Sequence, residues 1–177
     1  APAFSVHEVE QATRAVPLGT RAPDLGFVGV SIDSRTVRKG ELFVAIRGRR
    51  LDGHDFVSEA LASGAAAALI EKPVGGLPPG KSLWQVPDTL TALGNLARFH
   101  RDRFQIPLIA ITGSCGKTTT KAMLAHILSW DRPVLSTPGT QNNRSGVPLA
   151  LFRLNRGHRA AVLELGTNQW GEIGLLA

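Results

Sequence analysis

The spacing of apolar and polar positions changes several times along the chain, and each change outlines an element. Residues 4 to 16 repeat at helical spacing, with Phe4, Val6, Val9, Ala12 and Val16 apolar and charges between them; Pro17, Gly19 and Pro23 end that segment. Phe27 to Ile32 and Leu42 to Ile46 read as strands, with Asp33-Ser34-Arg35 and a Lys39-Gly40 turn between them. A basic turn, Arg47 to Arg50, and a loop, Leu51 to Phe56, precede a short helix from Phe56 to Ser63 that Gly64 stops. Ala66 to Ile70 and Leu83 to Val86 predict two more strands around the Pro- and Gly-rich loop 73–80. Asp88 is a good N-cap for a helix running to about Phe104, with Leu90, Leu93, Leu96, Ala97 and Phe99 on or near one face. Its arginine-rich end lies where cations favour the helix dipole.

From Pro107 onward the pattern alternates regularly. Leu108 to Ile111 is a short apolar run read as a buried strand, and a helix follows from Thr119 to Leu128. A strand over 133–136, a polar loop from Thr137 to Gly146, a helix from Val147 to Leu154 and a buried strand from Ala160 to Leu165 come next. Strand and helix in turn argue a parallel sheet with right-handed crossovers. The fold class is therefore α/β: a small first domain over 1–105, then a phosphate-loop, Rossmann-like parallel-sheet domain over 106–177, with the boundary near residues 104 to 107. Trp170 to Ala177 reads as a helix start with no closing signal, so the chain is expected to be a fragment whose second domain is cut short.

Composition narrows the partners. Of 177 residues, 43% are hydrophobic, enough for a real core. The net charge of +6 suits phosphorylated small molecules, while the scattered arginines and the absence of tyrosine supply no basic helix or aromatic platform, so nucleic acid is not the expected partner. One cysteine, Cys115, rules out an internal disulfide framework and fits a reducing cytoplasm. No apolar run approaches the length of a membrane span.

The stretch that carries chemistry is Thr112-Gly-Ser-Cys-Gly-Lys-Thr118, between a strand and a helix. Backbone N–H groups and the positive end of a helix dipole at such a turn bind phosphate, and glycine lets the backbone approach it closely. Gly113, Ser114, Cys115, Gly116, Lys117, Thr118 and Thr119 are thus candidate nucleotide contacts, with Lys117 at the outer phosphates and the Thr118 hydroxyl placed for Mg²⁺. The general form is G-x-x-x-x-G-K-[ST]; here Ile111 stands where its first glycine would be, so the loop is a shortened variant. Cys115 lacks an identifiable His partner and is read as a small loop residue.

Glu164 ends the last strand, at the edge where open parallel sheets bind ligands, and is placed to hold Mg²⁺ beside Thr118; a solvated strand end is the plain alternative. Asn142-Asn143 and Gly166-Thr-Asn-Gln169 share that edge and read equally as phosphate or metal-water contacts and as ordinary turn residues. In the first domain, Asp33, Ser34 and Arg35 sit at one strand end and Arg47, Arg49 and Arg50 follow the next. Arginine forks suit a diphosphate, although a charged loop on a small domain is more often just solvated. His54, between two aspartates, reads as a hydrogen-bonded loop histidine. A phosphate-loop kinase or GTPase, or a nucleotide-binding module without turnover, are the alternative functions.

These residues together resemble a known family. Thr112 to Thr118 resembles the loop of the Mur ligases, the ATP-dependent amide ligases of peptidoglycan synthesis. Asp33-Ser-Arg35, Gly40-Glu-Leu-Phe-Val-Ala-Ile46 and Asp52-Gly-His-Asp-Phe56 look like a first domain found in part of that family. Thr137-Pro-Gly-Thr-Gln-Asn-Asn-Arg-Ser-Gly-Val-Pro148 and Glu164-Leu-Gly-Thr-Asn-Gln-Trp-Gly-Glu-Ile173 look like the branch that joins D-alanyl-D-alanine to UDP-N-acetylmuramoyl-tripeptide. The resemblance implies ATP and Mg²⁺ as cofactors and an acyl phosphate as intermediate. It implies Lys117 and Glu164 as catalytic residues, Thr118 and Glu164 at the metal, and Asn143 at the nucleotide. It assigns Asp33, Ser34, Arg35 and Arg47 to the uridine diphosphate end of the muramyl substrate. A cytoplasmic monomer is expected. Cys115 stands where Ser or Asn is commoner in the family, and Ser145 where an apolar residue is usual. Family members also carry a third domain for the amine substrate, so this chain by itself is not expected to turn over.

Overall fold

The computed structural model describes residues 3–18, 25–48, 50–76, 78, 80–139, 141–166 and 171–176, without the side chains of the last two. The chain divides into two compact units, Ala1–Leu96 and Ala97–Ala177. The division falls inside a helix, upstream of the Phe104–Pro107 junction that the sequence suggests. Past the division, His100 Nε2 lies 3.1 Å from the Leu154 carbonyl oxygen and its ring packs edge-on against Phe104, so the helix end belongs with the second unit.

In the first unit, β1 (Phe4–Ser5) leads directly into α1 (Val6–Thr13). Ser5 Oγ accepts from the Glu8 N–H and the Glu8 carboxylate accepts from the Ser5 N–H, a reciprocal cap that starts the helix. The helix is shorter than its apolar spacing predicts. Arg14 turns left-handed at φ 56° and ends it, freeing Val16–Leu18 to form β2. Pro17 is tolerated there because β2 lies at a sheet edge.

The predicted strand over 27–32 is two strands, β3 (Gly26–Phe27) and β4 (Val30–Ser31). They part because β3 pairs antiparallel with β1 while β4 pairs parallel with β5 (Leu42–Val44). The break lies at Gly29, where an added Cβ would sit 2.8 Å from a Glu41 carboxylate oxygen. A 3-10 turn over Gly53–Phe56 runs into α2 (Val57–Ala62), followed by β6 (Ala67–Ile70), β7 (Ser82–Gln85) and α3 (Thr89–Arg101). The sheet order is β2-β7-β6-β5-β4, parallel except for β2.

Phe43, Ala45, Ala68, Ile70 and Leu83 pack against Val57, Ala60 and Leu61 of α2 to form a buried core. Near its edge, Asp52 and His54 form a tight knot. His54 Nδ1 donates to Asp52 at 2.6 Å, its Nε2 accepts from the Glu71 N–H at 2.8 Å, and Lys72 donates to Asp52 at 2.8 Å. His54 is thus the hydrogen-bonded loop residue its context suggests, with the ring proton on Nδ1. Gly53 is required beside it, since a Cβ there would lie 2.7 Å from the backbone N and O of Ile46.

The second unit holds β8 (Leu108–Ile111), α4 (Lys117–Leu128), β9 (Val134–Ser136), α5 (Gly146–Leu151), β10 (Ala160–Glu164) and α6 (Glu172–Leu176). The described strands form a parallel sheet in the order β8-β10-β9. β10 is buried along its whole length. β8, expected to be buried, is half-buried, because among the described strands it pairs only with β10. Trp170 and the Thr167–Gln169 stretch, singled out in the sequence, lie outside the described residues, as do Arg49 and Gly19 to Asp24.

The Asp52 knot sets a pH dependence. The Lys72 ammonium, followed by the His54 N–H, holds the Asp52 carboxyl well below the usual carboxylate range. A depressed carboxyl contributes stability that is complete above its unfolded pKa and lost as pH falls below it. Asp52→Asn should therefore cost about 1 kcal/mol at pH 7. The difference from the parent should shrink as pH falls below about 4, as measured by urea unfolding at pH 7 and pH 3.

Candidate active site

The site is built on strand register. Glu164 pairs across from Ile111, so the end of β10 is level with the start of the phosphate loop after β8. Gly113 and Gly116 adopt φ of +143° and +76°, conformations that glycine enters without strain, and Gly116 caps α4. Because of that turn the helix begins at Lys117, two residues before the position predicted from apolar spacing. Gly113 to Gly116 are exposed, so the loop's backbone is open to a ligand. Lys117 Nζ donates to the Gly113 carbonyl at 2.6 Å, folding the lysine back across the loop.

Glu164 is 1% exposed and fully engaged. Its Oε2 accepts from Thr118 Oγ1 at 2.9 Å and lies 3.4 Å from Lys121 Nζ, while Oε1 accepts from Asn142 Nδ2 at 2.9 Å. Its backbone N–H donates to Thr137 Oγ1 at 3.0 Å. Burial pushes its carboxyl up, but the hydrogen bonds from Asn142 and Thr118 and the Lys121 charge outweigh that, leaving it below the ordinary value. Glu164 and Thr118, expected together from the sequence, are thus in direct contact.

The two asparagines divide their roles. Asn142 reaches Glu164, held there by a close approach from Gly166, whose N–H donates to the Asn142 carbonyl at 2.7 Å. Asn143, the residue expected at the nucleotide, places its Oδ1 on the Ser145 N–H, the Ser145 hydroxyl and the Gly146 N–H, which fixes the start of α5. Asn142, which the sequence leaves open between contact and turn residue, is joined at Glu164 by Lys121 and Thr137, which the sequence does not mark as site residues. The available signal for Lys121 was its spacing: four residues after Lys117, it lies on the same helical face one turn on.

A hard cation takes oxygen ligands, and Mg²⁺ keeps several waters while using one or two protein oxygens. Thr118 Oγ1 and Glu164 Oε2 are such a pair, and their 2.9 Å separation matches the roughly 3 Å between adjacent ligands of an octahedral Mg²⁺. Among the described residues no group of three or more His, Cys, Asp or Glu could hold a metal ion.

In the first unit, Asp33, Ser34 and Arg35 follow β4, and Arg47 follows β5, at one edge of a parallel pair. The Arg35 guanidinium forks the Asp33 carboxylate at 2.9 and 2.7 Å, and Asp33 also accepts from the Arg35 N–H. These contacts hold the Asp33 carboxyl down at about 2. The Arg35 side chain is nonetheless 80% exposed, and Ser34 is buried beside it. Arg47 forms a backbone bridge with Asp52, and its residue is exposed.

A strand–glycine turn–helix with Gly-Lys-Thr, level with an acid on the neighbouring parallel strand, is the arrangement of a phosphate loop. The sequence matches the Mur ligase family, catalytic domain, over residues 27–101 and the Mur ligase middle domain over residues 111–177. The chain belongs to the Mur ligase family. It is 43% identical over 151 residues to the UDP-N-acetylmuramoyl-tripeptide–D-alanyl-D-alanine ligase of Escherichia coli K12, covering 85% of this chain and 32% of that protein. The enzyme of the same name from Bacillus subtilis 168 is 40% identical over 149 residues, covering 84% and 33%. Among solved structures, MurF from Acinetobacter baumannii superposes with a TM-score of 0.92 at 38% identity, covering 99% of this chain and 38% of that one. MurF from Thermotoga maritima in complex with ADP gives a TM-score of 0.76 at 37% identity, covering 83% and 34%. The chain spans about a third of the length of these relatives.

The packing at Gly166 is testable. A Cβ there would lie 2.7–2.8 Å from three atoms of the Asn142 carboxamide. Gly166→Ala should push Asn142 off Glu164 and lower stability by about 1–3 kcal/mol. Denaturant unfolding would measure the loss, and the Asn142 side-chain amide resonance should move.

Proposed function

We propose that this chain carries the nucleotide site and the muramyl-substrate unit of an ATP-dependent ligase that joins D-alanyl-D-alanine to UDP-N-acetylmuramoyl-tripeptide. The two substrates joined are those stated in the names of its relatives. The observation that carries the reading is the direct contact of Thr118 with Glu164 beside the Gly-Lys-Thr loop, together with the ADP complex of a related MurF. We assign residues 1–105 to the UDP-muramyl peptide and 106–177 to ATP. The enzyme is placed in the cytoplasm as a monomer with no nucleic-acid partner. Among the described residues no helix is long and apolar enough to cross a membrane.

In this reading the N–H groups of Gly113 to Thr119 and the N-terminus of α4 receive the phosphates of ATP. Lys117 exchanges its bond to the Gly113 carbonyl for the outer phosphates. Asn143 is assigned to the nucleotide as well. Thr118 and Glu164 would hold Mg²⁺, whose charge offsets the repulsion between the attacking carboxylate of the tripeptide and the γ-phosphate. The carboxylate takes the γ-phosphoryl group, ADP leaves, and the amine of D-alanyl-D-alanine then displaces phosphate from the acyl phosphate. The dipeptide is assigned to parts of the enzyme outside this chain. Arg35, exposed and oriented by Asp33, and Arg47 at the neighbouring strand end suit the diphosphate of the muramyl substrate, and Ser34, next to Arg35, is assigned to it with them.

Lys117→Ala should weaken ATP binding by about 1.5–3 kcal/mol, the loss of one charge-assisted contact. Isothermal titration of ATP with Mg²⁺ into parent and variant measures it, and unchanged affinity would remove the phosphate-loop assignment. Arg35→Ala should weaken the UDP-muramyl tripeptide by more than about tenfold while leaving ATP affinity within about twofold. Equal losses for both ligands would show a folding defect instead of a lost contact.

A further inference from the structure

Lys121 lies in the middle of α4 and is 4% exposed. Its Nζ donates to the Thr137 carbonyl at 2.9 Å and to the Gly139 carbonyl at 2.8 Å, and it lies 3.4 Å from Glu164 Oε2. An ammonium carries three N–H bonds and no acceptor; two carbonyls and one carboxylate match that capacity. An enclosed charge is costly unless it is paired and hydrogen-bonded, and a helix that only needed to pack on its sheet would be served by an apolar residue here. The cluster at which Lys121 sits also fixes Thr137 three ways. The Thr137 carbonyl accepts from Lys121, its hydroxyl accepts from the Glu164 N–H at 3.0 Å, and its own N–H donates to the Val162 carbonyl at 3.2 Å.

Three segments converge on this one nitrogen: the phosphate-loop helix, the turn after β9, and the end of β10. We propose that Lys121 is a positioning residue, whose ammonium ties α4, the Thr137–Gly139 turn and the Glu164 carboxylate into one body. The spacing between the Gly-Lys-Thr loop and the acid edge is then set before any ligand arrives. Lys121 does this without touching a ligand, since its Nζ is enclosed by protein oxygens. Lys117, one turn earlier, bonds the Gly113 carbonyl beside an exposed loop and can exchange it for a phosphate. The tether itself stands on the unliganded geometry; its effect on Mg²⁺-dependent nucleotide binding rests on the function proposed above.

The test uses the full chain with Lys121→Met, which keeps the aliphatic length and removes the ammonium. Amide hydrogen exchange is measured without ligand. The Gln141 and Gly166 N–H groups bond to acceptors inside the loop, the carbonyls of Pro138 and Asn142. They should exchange about tenfold faster or more, while β8 and β10 amides keep parent protection. ADP affinity is then measured with Mg²⁺ and with EDTA. The gain from Mg²⁺ should fall several-fold in the variant while affinity in EDTA changes little, a split that a purely structural role would not produce. Should Lys121→Met fail to fold, Lys121→Gln, which can still donate to a carbonyl, is read instead. Unchanged loop exchange, a uniform rise across the second unit, or loss of the fold in both variants would each overturn the proposal. If the parent chain shows no Mg²⁺-dependent ADP binding, the proposed function fails, while the exchange result still decides the tether.

Discussion

The site depends on one constraint, the parallel register of β8 and β10. Pairing Glu164 with Ile111 puts an acid at the height where the phosphate loop leaves the sheet. A shift of one residue would turn the Glu164 side chain to the other face of the sheet and break its contact with Thr118. Packing holds that register: Ala160 to Glu164 are buried throughout, and Ala161 and Leu163, two apart and so on one face of β10, pack with Leu135 and Leu154 and with Val147 and Ala150. Core packing and site geometry are therefore one property of the same strand.

A buried carboxylate at such a place has to be compensated. Here Thr118, Asn142 and Lys121 supply donors from α4 and from the loop after β9, so the acid is held by the elements that frame the Gly-Lys-Thr loop. Glycine serves the same geometry from the other side. Gly116 supplies the left-handed turn into α4, and Gly166 leaves room for Asn142 to lie against Glu164. The first unit solves a simpler problem. Its parallel strands bring Asp33 and Arg47 to one edge, and the Asp33 fork orients an otherwise exposed guanidinium.

Much of this was legible in the sequence. Gly-Lys-Thr between an apolar run and a helix identified the loop, and an acid closing an apolar strand identified Glu164, because both signals are local. Those signals failed where pairing partners decide the outcome. Phe27 to Ile32 looks like one strand, yet its halves pair with different strands. Val16 closes the apolar spacing that reads as a helix, yet Val16 to Leu18 pairs with β7, and its exposed edge position tolerates Pro17. Lys121 was overlooked because a lysine on a helix reads as solvated; only the fold shows two carbonyls and a carboxylate waiting for it. Asn142 and Asn143 are indistinguishable by type, and the turn geometry alone sends one to Glu164 and the other to the start of α5.

The central claim is that the turn between β8 and α4 is the place where a nucleotide's phosphates bind. Backbone amide resonances of the labelled chain, followed while ADP and Mg²⁺ are added, address it most directly. The account predicts that the largest shifts fall on Gly113 to Thr119, with smaller ones at Asn142 and Glu164 and none in the Asp52–His54 knot. Binding with the Gly113–Thr119 amides unmoved, or the largest shifts elsewhere in the chain, would contradict it.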